Sequence, residues 1–132
     1  MNMLTRLLEI LPSVHVPTKD MDTPFTLDRE GRPVTLRELR ALHGAGQSHT
    51  VLSVEEVNEG FMVECAVRAL RDMPQDHTIL SGRQSYTPEE LIREIEMGTD
   101  MGHAQARAHR NYHRFLEKAL HMGKILEVPN PG

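Results

Sequence analysis

Cysteine is almost missing from this chain. Cys65 stands alone among 132 residues, so neither an intramolecular disulfide nor a multi-cysteine zinc or iron–sulfur cage can form, and a reducing, cytoplasmic setting is expected. Tryptophan is absent, and the aromatics are only Phe25, Phe61, Tyr86, Tyr112 and Phe115. Aliphatic residues and some of the eight methionines must therefore fill the core; methionine packs adaptably and, where exposed, suits a partner surface. No apolar run reaches the ~18 residues of a membrane span, so a soluble chain with no membrane partner is expected. The opening MNMLTRLLEILPSV carries Arg6 and Glu9 inside its apolar stretch and lacks a basic front and a small-residue cleavage site, so it reads as an amphipathic helix and not a signal peptide. Positive charge is not in excess either. Fifteen Lys and Arg against nineteen Asp and Glu leave a net charge of -4, which disfavours nucleic acid as a partner.

What is present is helix punctuation. The length fits one domain, divided as an N-terminal helix over 1–12, a proline-rich connection over 13–34, a helical core over 35–123 and a tail over 124–132. Leucines 4, 7, 8 and 11 keep helical spacing until Pro12 stops them. Pro17, Pro24 and Pro33 then favour an extended crossing, within which FTLDREGRPVT can form a short hairpin near residues 25–35, turning at Arg29 to Gly31. Three Ser/Thr…Glu pairs, Thr35 with Glu38, Ser53 with Glu56 and Thr87 with Glu90, predict capped helix starts, the third reinforced by Pro88 at the first helical position. Gly44, Met73-Pro74 and Gly98 mark the ends. Thr99 or Asp100 begins a last helix that Gly123 stops. The expected fold is mainly α, a compact bundle of about five helices, with the tail EVPNPG disordered or pinned on the surface. The echo HTVLS (49–53) and HTILS (77–81) is read as two helix-entry segments whose apolar pairs plug into the core, in preference to two parallel strands.

The last helix holds the candidate sites. At ~100° per residue, Met101, Ala104, Ala108, Tyr112, Phe115 and Ala119 share one side, predicted to be buried, with His109, His113 and Glu117 on its flank. The spacing of His109, His113 and Glu117 could offer two imidazole nitrogens and a carboxylate to a divalent cation such as zinc. Arg110 stands where a metalloprotease helix has glutamate, and Arg107, Arg110 and Arg114 oppose a cation. HGAGQSH (43–49) lacks the features of a phosphate loop or a serine elbow and reads as a helix end and loop. Cys65, among Phe61, Met62 and Ala69, reads as a buried thiol. Arg29, Arg32, Arg37 and Arg40 could touch a nucleic-acid backbone, but their pairing with Asp28, Glu30 and Glu38 is preferred. The connection from Gly44 to Ser53 is also too long for a DNA-binding helix pair.

The expectation is therefore a non-catalytic protein-interaction module, an adaptor, inhibitor or assembly subunit, bound to another protein or to a second copy. Met97, Met101, Tyr112, Phe115 and Met122 are its candidate apolar contacts, and Arg107, Arg110 and Arg114 its orienting charges. The alternatives are a sensor or enzyme with its metal on His109, His113 and Glu117, and a small nucleic-acid regulator.

Overall fold

The computed structural model describes residues 3–81 and 83–131, without the side chains of Leu4 and Thr5. Leu4, one leucine of the predicted first stripe, thus has its side chain outside the described residues. Two units are distinguished: Met1–Val57 with Tyr112–Gly132, and Asn58–Asn111. The structure is mainly helical, but short strands lie among the helices, so it is not a plain bundle.

In the first unit, α1 (Met3–Ile10) places Leu8 in the core. The proline-rich crossing is more ordered than expected, holding β1 (Val14–Pro17), the single-turn α2 (Thr18–Met21) and the predicted hairpin of β2 (Pro24–Leu27) with β3 (Pro33–Thr35). Asp28 shapes the hairpin turn, its Oδ1 accepting from the amides of Glu30 and Arg32, each at 2.9 Å, while Gly31 supplies the positive φ that a side chain would resist. Thr35 ends β3 and caps α3 (Leu36–Gly44) through the predicted reciprocal bonds with Glu38.

The tail is pinned, and over part of its length it is a strand. β6 (Ile125–Val128) pairs in parallel with β1, aligning Val14 with Ile125 and Pro17 with Val128. Ile125 joins Leu8, Val16, Phe25, Leu116 and Leu120 in one core. Arg37 fastens the strand from outside: its guanidinium donates to Asp22 at 2.6 Å and to both oxygens of Glu127 at 2.7 and 2.8 Å.

The second unit contains α4 (Glu59–Arg71), the hairpin of β4 (Ile79–Ser81) and β5 (Gln84–Tyr86), α5 (Pro88–Met97) and the first half of α6 (Asp100–His121). Thr87 forms the predicted capping box with Glu90, Pro88 following. Ser53 does not start α4. Its amide does reach Glu56 Oε1, at 3.0 Å, but closes only a turn, and Asn58 caps the helix by accepting from the Phe61 amide at 2.8 Å. The asparagine side chain wins because it meets an amide already in the first helical turn.

Each echoed pentapeptide sets the first of its apolar pair against a core, Val51 in the first unit and Ile79 in the second, but neither leads directly into a helix. The first contributes a 3-10 turn, Ser48–Thr50, and the buried Val51; the second supplies β4, paired antiparallel, with Leu80 exposed.

Three helix ends share one device. After α3, α5 and α6, the glycines 46, 98 and 123 adopt φ of 71°, 67° and 69°. Each following amide reaches back to the last turn: Gln47 to Leu42, Thr99 to Glu94 and Lys124 to Ala119. α3 ends at Gly44 as predicted, and its left-handed residue follows two positions on, at Gly46.

Gly102 serves a different purpose. A Cβ there would sit 2.7 Å from Ile95 Cα and closer still to the Glu94 carbonyl, so α6 approaches α5 backbone to backbone. Gly102→Ala is expected to destabilise the chain by about 2 kcal/mol or more in urea unfolding, overriding alanine's better helix propensity. Acid should report on the Arg37 clamp, which draws the Glu127 carboxyl from 4.5 down to about 2. Its contribution is complete above pH 4.5 and disappears as the pH falls through about 2. The thermal stability of Glu127→Gln should accordingly lie below that of the unaltered chain at pH 5 and converge with it near about pH 2.

Candidate functional site

α6 is built as predicted at its ends, with the Thr99 hydroxyl accepting from the Gly102 amide at 3.1 Å, but a different side is buried. The buried residues are Gly102, Ala106, His113, Leu116, Ala119 and Leu120, a face turned about 100° from most of the expected stripe. Tyr112 and Ala108 are exposed. The reason is His113, which is only 6% exposed. Its ring stacks on Phe25 with centroids 4.4 Å apart, and Nδ1 donates to the Phe25 carbonyl at 3.1 Å. A histidine so satisfied functions as a core residue.

Two members of the expected metal set are engaged with backbone groups. Glu117 Oε2 accepts from the Val54 amide at 2.9 Å, and His113 is held by Phe25. His109 belongs to the second unit, the other two to the first. Burial lowers the pKa of His109 and, as the largest cause, raises that of Glu117. Among the described residues, no three His, Cys, Asp or Glu side chains form a group able to hold a metal ion.

The candidate contact residues also divide. Met97 is exposed and Met101 packs against the core of the second unit, where Ser81 Oγ lies 3.5 Å from its sulfur. Tyr112 and Met122 are exposed in the first unit, Phe115 packs against that unit's core, and Arg114 is ion-paired with Glu55. Arg107 and Arg110 come together with His103 along one cleft of the second unit, of about 410 Å³, floored by Met62 and Ala106. Glu59 lies on its edge, Oε1 3.1 Å from His103 Nδ1.

Two of the arginines weighed for nucleic acid meet carboxylates: Arg32 pairs with Asp28 and Glu30, and Arg37 with Asp22 and Glu127. Arg29 Nε donates to the His49 carbonyl at 2.9 Å. Burial pushes the Cys65 thiol up to about 11, which suits an inert core residue.

A cleft of about 230 Å³ in the first unit gathers Ser48, His49, Glu56, Glu117 and His121 over Leu39 and Val51. Its two carboxylates are occupied in holding consecutive amides, Glu56 that of Ser53 and Glu117 that of Val54. They fix the 53–54 segment, and their pKa values move apart, Glu56 downwards through its bonds to Ser53 and Glu117 upwards through burial.

The feature missed in the sequence is the outer side of α1. Met3, Leu7, Ile10 and Leu11 are 77%, 42%, 78% and 38% exposed. They recur at i, i+4, i+7 and i+8, and the bond from the Leu11 amide to the Leu7 carbonyl, 2.9 Å, carries the helical turn to Leu11. The signal was available: apolar residues surround too much of this helix for one buried stripe. No family model matches the chain, and neither a curated protein nor a solved structure shows significant similarity to it. No described helix is long and apolar enough to cross a membrane.

Glu117→Gln separates the acceptor role of this side chain from its charge. Because the folded pKa is raised, the folded state holds this proton more tightly, and the wild-type contribution declines as pH rises from 4.5 through the folded value. Relative to Glu117→Gln, which keeps an oxygen for Val54, the unaltered chain should lose thermal stability between pH 4.5 and neutrality. Glu117→Ala should be less stable than either at pH 5, by about 1–3 kcal/mol, since it removes the acceptor that Glu117 offers the Val54 amide.

Proposed function

We propose that the chain is a small non-catalytic protein-interaction module, and that the outer side of α1 is its contact face. One observation carries this reading: Met3 and Ile10 are largely exposed and Leu7 and Leu11 partly so along one side of one helix, while Leu8 on the same helix is completely buried. Exposed apolar residues scattered singly are ordinary, but a contiguous row is costly in water and marks an interaction site in folded proteins. Each square ångström of such surface covered by a partner contributes about 25 cal/mol.

This face replaces the seam first expected around Met97, Met101, Tyr112, Phe115 and Met122. Two of those residues pack against cores, and the remaining three belong to different units. Arg107 and Arg110, beside their cleft, are suited to a secondary, charge-steered contact.

The reading is tested by placing a photo-cross-linking phenylalanine analogue at Ile10 and irradiating the cells that make the protein. A discrete polypeptide adduct is expected from position 10, falling about tenfold or more when Leu7→Glu is added, since a charge in an apolar contact must be desolvated. Absence of an adduct, or one indifferent to Leu7→Glu, overturns the assignment.

A further inference from the structure

We infer that the cleft of the second unit lined by α4 and α6 is a docking groove for an acidic, extended segment of a partner protein, whose carboxylates pair with Arg107 and Arg110. The inference rests on the interaction reading above and adds a contact on the unit that does not hold α1.

His103, Arg107 and Arg110 follow one another at i, i+4 and i+7, which confines them to about 60° of the helix surface. They make a basic row about 10 Å long, with Met62 and Ala106 as an apolar floor and Glu59 at the edge. Elsewhere arginines meet carboxylates of the chain itself: Arg32 meets Asp28, Arg37 meets Glu127 and Arg114 meets Glu55. Arg107 is exposed, and among the described residues no carboxylate pairs with it. Arg110 is half-buried beside it. A guanidinium carries several N–H donors in a fork, so it can serve a neighbour in the fold and a ligand together.

The acid that lines the cleft, Glu59, is engaged with His103 at 3.1 Å. The cleft is thus locally basic although the chain carries a net charge of -4. Charges more than about 10 Å away are largely screened at ordinary salt, so a ligand in the cleft responds to the two arginines before the acidity of the whole.

Length and floor select among anions. A free phosphate or a single carboxylate covers only part of such a row and has nothing to lay on Met62 and Ala106. Three extended residues span about 10 Å and alternate their side chains. Acidic residues alternating with apolar ones can therefore offer carboxylates to the arginines and aliphatic groups to the floor. Glu59, a fixed carboxylate at the edge, weighs further against a doubly charged phosphate.

The inference is tested by titrating the isotope-labelled full chain with the peptide N-acetyl-Glu-Leu-Glu-Leu-Glu-amide and following its amide resonances. Saturable shifts are expected at residues 59–62 and 103–110, with a Kd of about 1 mM or tighter. Raising NaCl from about 50 to about 500 mM should weaken binding about fivefold or more. Arg107→Gln should weaken it about threefold and Arg107→Glu about tenfold or more. Arg93→Gln removes the same charge from α5, outside the cleft lining, and should change it by less than about twofold. Glu59→Gln should tighten it about twofold, since a like charge leaves the groove.

No saturable shift up to about 10 mM peptide, equal binding of the peptide with glutamine in place of glutamate, or equal effects of Arg107→Glu and Arg93→Gln each overturns the inference. Inorganic phosphate moving the same resonances at lower concentration than the peptide replaces the acidic segment with a phosphate-bearing ligand. If the peptide binds as expected while Ile10 gives no adduct, the groove stands and the α1 contact falls. If the adduct forms and the peptide does not bind, the groove is refuted and the interaction module stands.

Discussion

The first unit depends on joining two stretches of chain that are remote in sequence. β1 and β6 pair in parallel, and residues from both sides of the intervening second unit enter one core. Such a closure costs loop entropy that its own few ladder bonds do not offset. It is supported by the burial of Val16 and Ile125, by the Arg37 clamp on Glu127, and by the Thr18 hydroxyl donating to the Val128 carbonyl at 3.3 Å. The Lys19 amide also donates to the Asn130 side chain, at 2.7 Å, so pairing continues past the strand itself.

The same core decides what the histidines of α6 do. Once Phe25 lies under the helix, the imidazole of His113 is more valuable as a flat, stacking group with one donor for a strand carbonyl than as a solvated base. This turns the helix away from the face that alanine, tyrosine and phenylalanine spacing suggested. It also removes a nitrogen from any metal set and leaves Tyr112 in solvent. Glu117 is drawn in likewise, holding the Val54 amide where the chain leaves the first unit. Both side chains look like chemistry in the sequence, and both are occupied by structure.

Against that economy α1 is the exception. Among its described side chains Leu8 is the buried one, and Lys124 Nζ donates to the Leu8 carbonyl, tying the helix to the core there. Met3 and Ile10 stand well clear of that attachment. A helix of this length has little stability of its own in water, and a partner covering Leu7 and Ile10 would stabilise it together with the contact. Recognition and completion of the local fold are then the same event.

Relations a few residues long were decided in the sequence. The capping boxes at Thr35 and Thr87, the hairpin turn after Leu27 and the glycine stops at Gly98 and Gly123 each depend on one side chain or one φ acting on a neighbouring amide, so they survive in any tertiary setting. Where two local solutions competed, as between Ser53 and Asn58, pattern alone misplaced the boundary by a few residues. The β1–β6 pair, the rotated face of α6 and the exposed side of α1 were decided only by the tertiary structure. A strand of four residues has no periodicity to announce its partner, a histidine becomes a core residue only when a carbonyl and a ring await it, and an apolar helix face is buried or bare according to what the rest of the chain can reach.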